Sequence, residues 1–379
     1  MVIKNVKVVT LEKIIENGYI EFENGRITSV NEGDYVNDDS NVIDGNGLIA
    51  MPGFVDIHTH GSCGIDFMDA KEEDYKIIAD AFYKEGITSF LATTLTSDIK
   101  SMKRVCKTVC NVIDSVESLS GIHLEGPYIN KIYKGAQNAD FIRDPNVEEL
   151  KDLIATSNGN VRLITMAPEM PNAMEFIEEA VKNNVTISAG HSNATFADIE
   201  EAMKHGLTNI THTHNAMSKY DHKNPGIVNA AIYFDNLYTE CICDGIHVHP
   251  NTLKTFYKVA GADRFIMVTD ALLAKHSNVE KFQLFNLDCT YRNGAFYLVE
   301  AGNLAGSALN MDQGLRNVRN YCGASLVELA KISSYNAAKS LHLNDRGALK
   351  EGMLADIVLL DNELNLKEVY KLGKLVHRA

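Results

Sequence analysis

Residues 52–60 run Pro-Gly-Phe-Val-Asp-Ile-His-Thr-His, and the reading of this stretch decides the fold. Pro52-Gly53 stops the segment before it. From Phe54 a β-rich apolar segment (54–60) gives way to a helical pattern, and the same alternation returns downstream. Further strand segments are predicted at 87–93, 121–125, 162–166, 186–191, 209–212, 239–244 and 265–270. Their ends advance from residue 60 to residue 270 at an average of 30 residues per step, the length of one strand-plus-helix unit. The stretches between them fit helices, as in Ala197-Asp198-Ile199-Glu200-Glu201-Ala202-Met203 before Gly206. Eight such units predict an α/β fold, a closed (β/α)8 TIM barrel.

Outside this region the pattern is β again. Strands are expected at 2–9, 18–22, 26–30 and 47–50, with Glu23-Asn24-Gly25 as a hairpin turn. After the eighth unit, residues 282–299 read as β around Arg292-Asn293-Gly294, 309–340 as helical, and 355–361 and 373–376 as strand. Terminal strands on both sides of a barrel pair most simply with each other. The expected organisation is a small β-sandwich domain (1–52 plus 344–379) and a barrel domain (53–343).

The chain has 379 residues, with 36 Lys and Arg against 50 Asp and Glu, for a net charge of −14. That balance argues against nucleic acid as a partner, because phosphate backbones need clustered cations. It leaves room for a small anion held by a few local donors. The seven cysteines are scattered without a CxxC pair, as expected of free thiols in a reducing compartment. The opening residues lack a signal-peptide core and no apolar run approaches membrane-spanning length. A soluble cytoplasmic protein without a membrane partner is expected.

Histidine carries the chemistry. Of thirteen, several end predicted barrel strands, the rim where barrel active sites form. His58 and His60 are two residues apart, so both imidazoles share a face and can meet one ion. Glu125 ends the third strand, where a carboxylate must be paired, protonated or metal-bound; His123 lies one step deeper in a supporting place. His191 ends the fifth strand, His212 and His214 the sixth, and Asp270 the eighth. Spacing does not choose between His212 and His214. A core histidine accounts for any one of these, but not for the set at one rim. Nitrogen and oxygen donors with an added aspartate form a hydrolytic layout: a metal activates water and polarises a carbonyl while the carboxylate moves the proton.

The entry strand and these motifs resemble the amidohydrolase superfamily. Within it, His-Leu-Glu-Gly-Pro (123–127), Gly-His-Ser-Asn-Ala (190–194), Thr-His-x-x-Asn-Ala-Met (211–217), Asp-Gly-Ile-His (244–247), Val-Thr-Asp-Ala (268–271) and Leu-Ala-Gly-Ser (304–307) are similar to the N-acetylglucosamine-6-phosphate deacetylases. The resemblance spans essentially the whole chain and includes 352–358. It implies Glu125, His191 and His212 as main metal ligands, with Asn215-Ala216-Met217 selecting His212. It implies His58 and His60 at a second metal position, Asp270 as the acid/base, and one or two divalent ions (Zn, Fe, Co or Mn) per subunit. Substrate contacts are implied at Asn215, Ala216, His247, Leu304, Ala305, Gly306 and Ser307. Two positions depart from the family pattern. Gln137 stands where a substrate-contacting histidine is frequent, and Lys223 where an arginine, often from the neighbouring subunit, binds phosphate. The implied activity is hydrolysis of N-acetyl-D-glucosamine 6-phosphate to D-glucosamine 6-phosphate and acetate in amino-sugar metabolism, by a homodimer with a cross-subunit phosphate contact. Other N-acyl substrates, starting with the galacto epimer, are the alternative. A non-catalytic barrel and a nucleic-acid deaminase are disfavoured by the intact ligand set and by the missing HxE…PCxxC signature.

Overall fold

The computed structural model, which describes residues 1–37, 41–285 and 287–379, contains each of the eight strand-plus-helix units. The parallel strands are Phe54–Asp56, Ile87–Thr94, Leu119–Glu125, Val161–Met166, Thr186–Ala189, Asn209–Ile210, Tyr238–Ile242 and Phe265–Val268, hydrogen-bonded in chain order. All eight residues of Ile87–Thr94 are buried, as a parallel strand requires when helices cover one face and the barrel core the other. Helix Ile99–Val112 shows how the cover is made. Met102, Val105, Cys106, Val109 and Val112 recur at helical spacing on its buried face, and the Asp98 side chain caps its start by accepting from Ser101 N at 3.0 Å.

The barrel closes between its first and last strands. Thr59 bridges Ala271, Asp270 N donates to His58 O at 2.8 Å and His60 N to Ala271 O at 2.8 Å. Below that seam the buried Asp56 carboxylate accepts from Thr269 Oγ1 at 2.6 Å. The predicted strands overran the regular ones at the rim. The first, fifth, sixth and eighth end at residues 56, 189, 210 and 268, so five of the six expected metal or catalytic residues stand just beyond strand ends. Left-handed backbone at His191 (φ 48°), His212 (φ 28°) and Asp270 (φ 49°) ends the extended run there.

The terminal segments form one mixed sheet in which Val2–Val9, Ile14–Glu23, Arg26–Glu32 and Ile49–Pro52 join Ile357–Leu360, Leu366–Lys371 and Lys374–Arg378. Both arms supply one core, from Ile3, Ile20 and Phe22 on one side and Ile357, Leu359 and Tyr370 on the other. In the central strand Ile357–Leu360 the side chains alternate. Ile357 and Leu359 enter this small core, while Val358 and Leu360 enter the barrel's. Strand Leu366–Lys371 had no counterpart in the sequence reading. The β segment after the eighth strand is a four-stranded antiparallel sheet, Lys281–Leu284, Leu287–Arg292, Ala295–Leu298 and Leu304–Ser307. Its Asn293-Gly294 turn has φ of 51° and 87°, as a type I′ hairpin demands.

The loop after Asp270 is pinned by a buried ion pair. Lys275 Nζ lies 2.7 Å from Glu85 Oε1 and donates to Oε2 at 2.8 Å, and Met311 N donates to the same carboxylate at 2.7 Å. Burial pushes the Glu85 carboxyl up to about 7, against the pull of Lys275. Lys275→Met is expected to lower the unfolding free energy by about 3–5 kcal/mol, as breaking a buried pair does, while a Lys275→Met/Glu85→Leu double variant recovers most of it. Urea denaturation of the three proteins checks this; equal losses in the single and double variants would refute it.

Candidate metal-dependent active site

Four of the expected residues converge on Glu125. Its Oε1 lies 3.0 Å from His191 Nε2, 3.3 Å from His212 Nε2 and 3.3 Å from His58 Nε2, and its Oε2 lies 3.3 Å from His60 Nε2. Asp270 Oδ1 is 3.3 Å from His60 Nε2 and 3.5 Å from His58 Nε2. Two donor groups result, His58-His60-Glu125 and Glu125-His191-His212, and the carboxylate belongs to both.

The donor set suits a divalent cation. His191 Nε2 and His212 Nε2 are 3.1 Å apart, close to the roughly 3.4 Å between ligands at ~2.1 Å from one tetrahedral ion. A cation between these two nitrogens would take a lone pair from each. His58 Nε2 is buried without a hydrogen-bond partner among the described residues. Electrostatics point the same way. Burial alone would raise the Glu125 carboxyl, but His58 and His191 hold it well below the usual carboxylate range. Burial opposes charge on His58, yet Asp270 and Glu125 raise it well above the ordinary imidazole value, and His60 rises to about 9 against the same burial. The cluster therefore demands positive charge.

The local sequence explains the convergence. Gly190 precedes His191 where a Cβ would stand 2.6 Å from the Thr211 Cβ, so only glycine lets the fifth and sixth strand ends approach. His191 Nδ1 pairs with Tyr133 O at 2.9 Å; a carbonyl only accepts, so Nδ1 carries the proton and Nε2 faces Glu125. His123, which burial holds neutral, lies between Thr165 Oγ1 at 2.8 Å and Thr93 Oγ1 at 3.3 Å beneath the cluster. His214 belongs to neither donor group: it lines the cavity wall and packs edge-on against Phe256, with ring centroids 4.9 Å apart.

Above the cluster opens a cavity of about 420 Å³, bounded by His60, Glu125, His191, His212 and Asp270 at the floor. Of the expected substrate contacts, Gln137, Asn215, Ala216, His247, Leu304, Ala305 and Gly306 line it. Asp244 Oδ2 accepts from His247 Nδ1 at 2.6 Å, while its Oδ1 accepts from His247 N at 2.8 Å, fixing that ring. Gln137 is held at both ends. Its Nε2 donates to Glu125 Oε2, and its Oε1 accepts from Thr96 N at 2.8 Å, so it braces the ligand carboxylate. The Asn215 main-chain N–H is engaged by His212 O at 2.9 Å. Ser307 lies outside the lining, its hydroxyl donating to Thr269 O. Lys223 also lies outside, on an exposed loop. Lys219, four residues earlier and absent from the sequence reading, is the lysine that lines the cavity. No helix among the described residues is long and apolar enough to cross a membrane, and all seven cysteines are free.

Known proteins resemble this chain over its full length. Residues 49–376 match the Amidohydrolase family. The N-acetylglucosamine-6-phosphate deacetylase of Lysinibacillus sphaericus is 37% identical over 99% of this chain and 97% of its own. The crystal structure of N-acetylglucosamine-6-phosphate deacetylase from Thermotoga maritima superposes with a TM-score of 0.91 at 36% identity, covering 100% of both chains. A mutant of the Mycobacterium smegmatis enzyme in complex with N-acetyl-D-glucosamine-6-phosphate superposes at 0.94 with 27% identity and 99% coverage of each.

Proposed function

The chain belongs to the amidohydrolase family, and from that premise we propose that it hydrolyses the acetamide of N-acetyl-D-glucosamine 6-phosphate to D-glucosamine 6-phosphate and acetate. The observation that carries the reading is the single cluster of His58, His60, Glu125, His191, His212 and Asp270, of which all but the fully buried His58 line one cavity. Glu125, His191 and His212 would hold one divalent ion, and His58 and His60 with Glu125 a second. Zinc, iron, cobalt or manganese suits these donors. Such an ion supplies a nucleophilic water at neutral pH and polarises the acyl oxygen.

Asp270 does the proton work. Burial would raise its carboxyl, but His58 and His60 hold it below the usual range, so it is ready to accept. It takes a proton from the attacking water as the carbon–oxygen bond forms. It then returns that proton to the sugar nitrogen as the carbon–nitrogen bond breaks, leaving acetate and a free amine. Gln137 keeps Glu125 aligned. His247, braced by Asp244, and residues 215–216 and 304–306 orient the sugar from the cavity wall.

Lys219 supplies a cation for the 6-phosphate within the same chain. Lys223, exposed and outside the lining of its own cavity, fits the cross-subunit phosphate contact of a homodimer. The exposed Tyr220 (62%), Tyr233 (70%) and Val259 (47%) offer apolar surface for that contact. Free cysteines favour a cytoplasmic setting. The domain division at 1–52 plus 344–379 against 53–343 remains part of this reading.

Acetate release from the phosphorylated sugar beside the unphosphorylated one, in metal-replete protein, tests the assignment. Turnover of the phosphorylated sugar is expected to dominate. Lys219→Ala is expected to raise KM for it roughly tenfold, the worth of one hydrogen bond to a charged group, with kcat little changed. Turnover of neither sugar would sink the substrate assignment, and preference for the galacto epimer would redirect it.

A further inference from the structure

Glu240 is fully buried in the seventh barrel strand, between Thr239 and Cys241, and the catalytic scheme does not use it. Its Oε2 lies 3.4 Å from His58 Nδ1, and its Oε1 has no hydrogen-bond partner among the described residues. A carboxylate carried into a barrel interior for one partner is costly. Its effect on that partner is specific. A carboxylate accepts and never donates, so the His58 ring must present Nδ1–H to Glu240. Nε2 is thereby left to face Glu125 Oε1 and Asp270 Oδ1, at 3.3 and 3.5 Å. The His123 ring packs edge-on at 4.6 Å and restricts rotation of the same imidazole. His60 has no equivalent brace, since its Nδ1 is buried without a partner among the described residues. Of the two histidines that end the first barrel segment, only His58 has its ring set from behind.

We propose that Glu240 is the positioning residue of the His58-His60-Glu125 subsite, fixing the ring and tautomer of His58 so that this group takes a second divalent ion beside the Glu125-His191-His212 group. The inference rests on the two-group metal reading above, and its test separates the two. Metal-free wild type, Glu240→Leu and Glu240→Gln are titrated with Zn²⁺ alone. Ions per subunit are counted by mass spectrometry, affinities are read by calorimetry, and circular dichroism checks folding. Wild type is expected to bind two ions. Glu240→Leu keeps the side-chain bulk without an acceptor, and should weaken the second ion roughly 10- to 100-fold while leaving the first unchanged. Glu240→Gln keeps an acceptor oxygen and should recover most of that loss.

A folded Glu240→Leu protein that binds the second ion within a factor of two of wild type overturns the role of Glu240 and leaves the two-group reading intact. A wild type that saturates at one ion overturns the subsite itself, and the role of Glu240 with it. Should the leucine variant not fold, nitrogen-15 spectra of zinc-loaded wild type decide: a His58 without a proton on Nδ1 refutes the proposal.

Discussion

Asp270→Asn should leave the protein folded and metal-loaded, and lower kcat for acetate release by roughly 10²- to 10⁴-fold, the usual worth of a general acid–base group. Asparagine preserves the shape and hydrogen-bonding reach of the side chain but cannot take up a proton. It also suits the backbone. Residue 270 sits at φ 49°, a region asparagine enters more readily than most residues, so the substitution should add no strain at the seam with His58. Asp270 touches His58 and His60 but belongs to neither metal-binding group. Metal content should therefore hold while turnover falls, and KM should change little. Acetate assays beside metal analysis of the same sample check this. A variant within a factor of ten of wild type would remove Asp270 from the proton pathway. A variant that lost its metal would recast it as a ligand.

The barrel was legible because its unit repeats: eight apolar segments at a 30-residue spacing leave little else to build. The rim was less so. Sequence patterning continued the strands through His191, His212 and Asp270, whereas these residues leave the strands in left-handed backbone. Histidine and aspartate enter that region more often than most residues but are far commoner outside it, so residue type alone does not announce it; tertiary packing imposes it. Strand order was enough to bring Glu125, His191 and Asp270 to one rim, but spacing left His212 and His214 open, and only the resemblance chose between them. The residues expected at the substrate are placed unevenly about the cavity for a physical reason. A loop lysine is placed by the path of its loop, so Lys219 and Lys223 look alike in sequence, and only the fold puts Lys219 on the cavity. Gln137 was expected to meet substrate, yet both ends of its amide are engaged by Glu125 and Thr96. Glu240 could have been found. A lone carboxylate in the apolar run Thr239-Glu240-Cys241-Ile242 poses the question that singled out Glu125.

Glu125→Ala is expected to have the widest consequences, because one side chain serves every histidine of the cluster. It contacts His58, His60, His191 and His212 at 3.0–3.3 Å, and both metal-binding groups lose a ligand when it goes. Metal affinity should fall by more than the 10- to 100-fold that loss of an outer partner brings, and acetate release should fall with it. The metal-free protein should lose about 3–5 kcal/mol of stability near pH 6, where His58 and His60 keep their charge without its counterpart. The pH dependence has a definite sign. His60 rises from an ordinary 6.5 to about 9 in the folded protein. The stability it contributes is complete below 6.5 and is lost as pH rises through 9. The Glu125 carboxyl is held below its ordinary 4.5, so its share is present above that value and lost in acid. Chelator-treated wild type should therefore weaken both below pH 4.5 and between pH 6.5 and 9. In Glu125→Ala the acid limb should shrink, and the alkaline limb should flatten without vanishing, since Asp270 still faces His60 at 3.3 Å. Urea denaturation at pH 4, 6, 7.5 and 9 measures both limbs. Parallel curves for the two proteins, or an alanine variant that still holds its metal, would show that Glu125 is not the shared ligand of the cluster.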